Sequence, residues 1–439
     1  MVLRRSGLTI LFATVLVDMI GFGIVLPLLP FYAESFGATP LQVTAIIASF
    51  SATQLLAAPL WGRFSDRTGR RPVLIAGLFA SAVSYLLFAV ADSLAIVLLS
   101  RVAAGAAGGT ISVAQAYVAD STEGHNRAHG LGLIGAASGL GIMLGPAIGG
   151  FFSEWGLGVP GYVAAGLCAL NGLAAFLFLP ESRHFRDESV AERRAAAETG
   201  EAGTVRGWFG ALARYPLGVL LSVYLLTISS FSAMTAVLAL YLERVFAMGA
   251  SEMGIVFAGA GAVTVLVRGV AVGRLVRRIG EVRTVRIGCV VLALGLGTIP
   301  LINSPLWLVA LVPAWALATG ILFPSLASLV SQATDAHSQG SILGGSQVVG
   351  GLGRVVGPIW AGLLFQSVHL GSPFVLGALL SVVALGMSMR IPGAARSWPA
   401  GTSSKASPPS GAASPLDPAA TVGVESAGVA GTDPGPTTA

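Results

Sequence analysis

Three charged residues stand inside apolar sequence, where a charge needs a reason. Asp18 lies ten residues into a run that starts near Leu8. If that run is a helix crossing a bilayer, ~1.5 Å per residue puts the carboxyl roughly 15 Å deep, near the middle of a ~30 Å hydrocarbon core. An ion there is costly, so the carboxyl must pair, take up a proton or face water. Two chemistries fit: a satisfied structural acid, or a site for protons or a cationic substrate. Arg101 sits one to two turns inside the end of another run. A guanidinium there can snorkel to the surface. Arg354 is near the middle of a third run that contains no acid. A mid-bilayer Arg faces a bundle interior or a wet cavity. It could be the counter-ion of an acid such as Asp18, contact an anionic substrate group, or bond helix-end carbonyls. Arg268 is nearer the end of its run, and snorkelling accounts for it.

Two short patterns accompany these residues. The first, Gly62-Arg63-Phe64-Ser65-Asp66-Arg67-Thr68-Gly69-Arg70-Arg71, gathers four arginines and an acid between two apolar runs. Gly62 and Gly69 suit a tight turn, and Asp66 can accept bonds from an Arg or a helix N-terminus. The second places Gly141, Gly145 and Gly149 four apart on one helix face, with Pro146 and Gly150 beside them. Small residues at that spacing let helices approach closely inside a membrane. Tyr32, Gln54, Gln115, Tyr117, Asn171, Tyr224, Asn303 and Gln347 are in or beside the runs and read as helix–helix glue. Asp120, Thr122 and Arg127 read as a surface turn or cap.

The elements that must position these groups follow from composition. The chain has 439 residues, 54% hydrophobic and only 10% charged, with a mean hydropathy of +0.81. About 240 apolar residues would build twelve membrane helices of ~20 each. This composition excludes an ordinary soluble enzyme, a disordered chain and a disulfide scaffold, and the long continuous runs exclude an alternating β-barrel. The runs fall at 8–31, 41–61, 73–91, 94–118, 130–152 and 161–179, then 215–241, 252–273, 287–303, 305–329, 342–367 and 373–389. The first has no small-residue cleavage site after it and reads as a retained span rather than a signal peptide. Cys168 and Cys289 lie inside runs as small hydrophobes.

Arginine placement sets the expected orientation. With a cytoplasmic N-terminus, the inner loops hold Arg4, Arg5, Arg63, Arg67, Arg70, Arg71, Arg127, Arg274, Arg277, Arg278, Arg283 and Arg286. The outer loops hold acids and a single base, Arg244. Both termini are therefore expected in the cytoplasm, in a cell membrane. The domain division reads as a six-helix bundle over 1–180, a charged linker over 181–213, a second bundle over 214–390 and a disordered tail over 391–439. The halves repeat at an offset of about 212 residues. Gly141, Gly145, Pro146 and Gly150 fall on Gly353, Gly357, Pro358 and Gly362, while Asp66 falls on Arg277 and Arg101 on Pro313. Repeats of this kind place a site at their interface.

With these residues in view, the chain resembles the major facilitator superfamily. The Gly62–Arg71 pattern is similar to its loop signature between spans 2 and 3. Gly141–Gly150 resembles the antiporter signature of proton-driven drug exporters. Asp18 followed by Pro27 and Pro30 resembles the twelve-span drug/proton antiporters, including their tetracycline-exporting branch, and Arg101-Val102-Ala103-Ala104-Gly105 resembles their span-4 signature. The resemblance covers residues 8–390 and implies an all-α membrane fold of two pseudo-symmetric six-helix bundles. It implies that Gly62, Asp66, Arg67, Gly69, Arg70 and Arg71 form a cytoplasmic latch between the halves. Gly141, Gly145, Pro146, Gly149 and Gly150 would lie at the seam, and Arg101 would bias a nearby acid in proton coupling. The tetracycline branch carries acids in spans 3 and 9. The matching regions around Ser84 and Leu292 hold none, which counts against tetracycline itself.

The expected activity is secondary export of an amphipathic drug-like molecule, driven by protons through Asp18, by a monomer without cofactor or metal. An alternative is proton-coupled transport of a metabolite, sugar or organic anion, with Arg354 and Arg101 as substrate contacts. A membrane receptor or enzyme is the remote alternative, since no HExxH, GxSxG or Walker pattern occurs. Scattered arginines between apolar runs offer no nucleic-acid surface.

Overall fold

A computed structural model describes residues 2–122, 124–182, 215–334 and 339–391. The expected linker and tail lie outside these residues, apart from Glu181, Ser182 and Ile391. The described residues are helical, without a strand among them. Among the described residues, eleven helices are long and apolar enough to cross a membrane, and a shorter apolar helix follows them. The first six spans are Val2–Val25, Pro40–Thr68, Arg70–Ala89, Leu94–Ser121, Gly124–Ser153 and Val159–Phe178. The next six are Leu217–Phe246, Ala250–Ile279, Glu281–Leu301, Pro305–Gln332, Gln339–Ser367 and Ser372–Ser388.

Local chemistry sets the ends. Span 2 starts at Thr39, whose hydroxyl accepts from the Gln42 backbone while Gln42 Oε1 accepts from the Thr39 N–H at 2.8 Å. Pro40 fills the first turn, where its missing N–H is not needed. The helix then runs seven residues past its expected end at 61 and takes Gly62 with it. Gly62 is not a turn residue: an added Cβ there would meet nothing within 4 Å. Gly69 alone turns the chain, with φ +104°. Its repeat counterpart Gly280, at φ +81°, turns span 8 into span 9.

Span 4 is broken between Ala107 and Thr110. Gln54 donates to the Gly108 carbonyl at 3.1 Å and the Trp61 indole to that of Ala106 at 2.5 Å. These bonds satisfy carbonyls that the break frees. A Cβ on Gly109 would lie 2.6 Å from Trp61 Cδ1, so glycine lets span 2 press against the break. Span 8 carries a π-helical turn, Val267–Ala271.

Small residues bring the helices together, though not where the sequence suggests. A Cβ on Gly145 would lie 2.6 Å from Gly23 Cα, and Gly141 and Gly149 press on Met19 and Ile24. The 141/145/149 ladder therefore seats span 5 on span 1 inside the first half, not across the seam. Gly353 and Gly357 seat span 11 on span 7 at Ile228 and Ser229 in the same way. The seam belongs to their neighbours. Gly150 and the Pro146 carbonyl meet Gly254 of span 8, Met143 meets Gly261, and Gly362 meets Thr44 of span 2.

The cores show how the halves join. At the end carrying Gly69, the first half has its own cluster of Leu11, Val15, Leu74, Leu78, Val113 and Leu179. Toward the opposite end, Ile24, Leu29, Val43 and Phe88 belong to one cluster with Leu238, Leu242 and Phe374 of the second half. The halves are thus fused by apolar packing at one end and have separate cores at the arginine-rich end. The fused end also holds an ion pair between halves, Arg244 Nη2 to Glu34 Oε1 at 2.9 Å, with the guanidinium 5.1 Å from the Phe365 ring.

Candidate functional site

Asp18 is 5% exposed, inside the first half. Thr110, the first residue after the break in span 4, donates its hydroxyl to Asp18 Oδ2 at 2.5 Å. The Ser81 hydroxyl of span 3, itself buried, faces the same carboxyl. The break in span 4 therefore has a chemical consequence, because it aims Thr110 at the acid. Both neighbours are hydroxyls, which can donate to a carboxylate or accept from a carboxylic acid. The site can hold the group in either protonation state without rebuilding.

Arg101 does not snorkel. It is 4% exposed, with its guanidinium 5.7 Å from the Tyr85 ring centre and 5.0 Å from that of Phe88. Its Nη2 has no hydrogen-bond partner among the described residues. Tyr85 stands between the two charged groups. One face takes Arg101, and its edge reaches span 1 at Gly21, one turn from Asp18, where a Cβ would lie 3.0 Å from Tyr85 Cε2. Cys168 closes the same spot from span 6, its Sγ 3.1 Å from that Cβ position. Asp18 and Arg101 stand out in the sequence through their charge. Thr110, Ser81 and Tyr85 do not, because uncharged polar residues in spans are common and only packing selects these three.

Arg354 is not part of this cluster. It lies on span 11, is partly exposed, and has no hydrogen-bond or ion-pair partner among the described residues. Leu352, Val356, Ile359 and Leu363 form the outward stripe of that span, between 43% and 52% exposed. At ~100° per residue, Arg354 points roughly 170° away from the stripe, into the space between the halves. The expected grouping of Asp18, Arg101 and Arg354 thus separates into a closed site in the first half and an open arginine in the second.

The Gly62–Arg71 segment is built around Arg70, which is buried. Its guanidinium pairs with Asp66 at 2.6 Å and Asp120 of span 4 at 2.8 Å, and donates to Ser65 Oγ at 2.5 Å. Glu181 Oε1 caps span 3 by accepting from the Arg70 and Arg71 N–H groups at 2.9 and 3.2 Å. Arg71 donates to the Phe176 carbonyl, and Arg67 is exposed. These bonds join spans 2, 3, 4 and 6 of the first half, whereas the expectation was a latch between halves. Asp120 is a partner of Arg70 rather than a simple turn residue; the side chain of Arg127 lies outside those described. Gln54, Asn171, Tyr117 and Tyr32 bond backbone carbonyls of neighbouring segments, as glue would.

Pseudo-repeated spans, apolar packing that joins the halves at one end, separate cores at the other and charges buried between helices describe a multi-pass membrane protein. The sequence pattern of the Major Facilitator Superfamily matches residues 11–358, and the chain belongs to that family. The class E tetracycline resistance protein of Escherichia coli is 30% identical over 388 residues, 86% of this chain and 93% of that protein. Multidrug resistance protein 2 of Bacillus subtilis (strain 168) is 26% identical, over 88% of this chain and 95% of its own. Among solved structures, the human organic anion transporter MFSD10 (TETRAN) superposes with a TM-score of 0.65 at 27% identity, covering 88% of this chain and 99% of that one. The nucleoside transporter NupG, at 14% identity and a TM-score of 0.70, shares the fold. The chain is a transporter of small molecules, homologous to drug efflux proteins, and not an enzyme.

Proposed function

We propose that this transporter is a proton-driven exporter of amphipathic drug-like molecules in the cytoplasmic membrane. Both termini face the cytoplasm, and one chain is the working unit. The observation that carries the coupling is Asp18: an acid buried at 5% exposure, held by hydroxyls that suit both of its protonation states. Arg101, with Tyr85 between it and the acid, biases the carboxylate toward charge loss or gain as the spans shift. On this reading the arginine-rich end is the cytoplasmic one, and the apolar packing that joins the halves lies at the outer end.

Transport then requires the halves, residues 1–180 and 214–390, to rock about their seams at Gly150–Gly254 and Gly362–Thr44. Opening to the outside separates Glu34 from Arg244 and lets a proton reach Asp18. Return toward the cytoplasm releases it. A negative interior helps, since one charge moved across 100 mV is worth ~2.3 kcal/mol. The ring of bonds around Arg70 keeps the cytoplasmic ends of spans 2, 3, 4 and 6 moving as one body.

The test is drug or dye accumulation in inside-out vesicles under an imposed proton gradient. Asp18→Asn is expected to abolish gradient-driven accumulation while the protein still assembles in the membrane. Full gradient-driven export by Asp18→Asn would overturn the coupling role. A second reading, transport of an organic anion, is favoured by one observation: Arg354, which has no partner among the described residues, between the halves.

A further inference from the structure

The described acids divide sharply. Asp18 is the one set deep inside a span, and it is closed in by Thr110 and Ser81. Glu34, Asp66, Asp92, Asp120, Glu154, Glu181, Glu243, Glu252 and Glu281 all lie at or beside helix ends. The bases divide differently. Arg354 points into the space between the halves without a partner among the described residues, and exposed Gln347, two turns earlier, shares its face to within about 20°. Arg268 lies on the π turn of span 8, on the face that carries Gly254, Gly261 and Val265 along the seam. One turn past the Gly139–Val265 contact, a Cβ on Gly135 would meet nothing within 4 Å. Arg268 therefore stands where the seam opens toward the cytoplasmic end. Among the described residues, the charge open to this space is positive and no carboxylate answers it.

Aromatic surface adjoins Arg354. The Tyr224 hydroxyl packs against span 11 at Gly350, one turn from Arg354, where a Cβ would lie 2.8 Å from it. Tyr224 and Phe231 of span 7 meet Phe323 of span 10 edge-on, at centroid distances of 5.9 and 6.0 Å. All three rings are partly exposed. A guanidinium offers a planar fork that matches a carboxylate or sulfonate, and ring edges and faces take up an aromatic body.

Building on the transporter reading above, we infer that the space between the halves binds an aromatic organic anion, its acid group on Arg354 and its ring on Tyr224, Phe231 and Phe323. Arg268 lies on the approach and draws the anion in. A cation of the same shape meets an unpaired guanidinium instead of a carboxylate and is disfavoured.

The experiment uses the purified full-length protein and three probes of one shape: naphthalene-2-sulfonate, permanently anionic; trimethyl(2-naphthyl)ammonium, permanently cationic; and neutral 2-naphthol. Equilibrium dialysis is expected to show the sulfonate binding at least about tenfold tighter than the cation, a difference typical of one charge-assisted contact. Arg354→Gln is expected to weaken the sulfonate about tenfold and leave 2-naphthol unchanged, which also reports that the variant is folded. Arg354→Lys should fall between, and Arg268→Gln should cost less than about threefold at equilibrium. Equal or tighter binding of the cation, sulfonate binding indifferent to Arg354→Gln, or no sulfonate binding would each overturn the anion site. Flux in proteoliposomes separates the two readings. Sulfonate that binds through Arg354 but does not move with a proton gradient sinks proton-driven export and leaves the site standing. Gradient-driven movement of the cation alone does the reverse.

Discussion

The two halves use the same backbone devices for different chemistry. Gly69 and Gly280 turn equivalent helices with positive φ, and glycines seat span 5 on span 1 and span 11 on span 7. The charges do not follow the repeat. The first half buries Asp18 and Arg101 with hydroxyl and aromatic partners, while the second leaves Arg354 partly exposed and, among the described residues, unpaired. At the turns the sign is reversed. Arg70 pairs with Asp66 and Asp120, whereas Glu281 accepts from Ser328 and Gln332, both at 2.6 Å. The duplication preserved how helices approach one another and released what they carry. On the function proposed above, one half serves the proton and the other the transported molecule.

The largest expected effect breaks what the halves share. Gly145→Leu and Gly357→Leu should both prevent stable assembly, because the added Cβ points at backbone, Gly23 Cα at 2.6 Å and Ser229 O at 2.5 Å. Overpacking of side chains alone costs ~1–3 kcal/mol, and backbone cannot rotate away. Gly135→Leu, with open space around it, is the control. Membrane yield and monodispersity after solubilisation check the prediction. Normal assembly of both ladder variants would mean that the shared packing is not what holds each half together.

A smaller effect should separate the two turns. Arg70→Gln removes the cation from two carboxylates and should lower stability by ~1–2 kcal/mol, discounted because Asp66 is about half exposed. Glu281→Gln keeps one oxygen to accept from Gln332 and turns the other position into an N–H donor that the Ser328 hydroxyl can accept, so it should cost less than ~1 kcal/mol. Thermal unfolding in detergent measures both. Equal losses would show that the sign reversal at the turns has no energetic meaning.

This contrast marks what was legible in the sequence. Span number, the repeat, Asp18 and the arginine pattern are one-dimensional signals, since each rests on a run of apolar residues or a charge out of place. The partners of Asp18 are not such signals. Thr110 reaches it only because span 4 breaks at Gly108 and Gly109, and a Gly-Gly pair amid so many glycines does not announce a break. The direction of a ladder is also hidden. Gly145 and Gly150 both read as close-approach residues, yet one faces span 1 and the other span 8. Which helix presses on a small residue is a property of the packed bundle.

The smallest effect on stability should have the most informative conformational readout. Arg244 and Glu34 are partly exposed, with side chains 36% and 20% accessible, so the pair should add only ~0.2–1 kcal/mol to folding. It joins the halves, however, so all of that energy bears on the balance between closed and open at this end. A loss of ~1 kcal/mol shifts a two-state ratio about fivefold. Spin labels at Asp92→Cys and Asn303→Cys, in the turns before spans 4 and 10, would report the separation of the halves there. The native Cys168 and Cys289 are buried and should not compete for label. Arg244→Gln should enlarge the long-distance population by up to that factor while unfolding is almost unchanged. Arg244→Lys should recover part of it, losing the Phe365 stacking but keeping the charge. The turn around Arg70 makes the opposite forecast: its bonds lie within one half, so Arg70→Gln should lower stability and leave the distance distribution at this end as it was. An unchanged distribution in Arg244→Gln would show that the apolar cluster, not the ion pair, sets the closure.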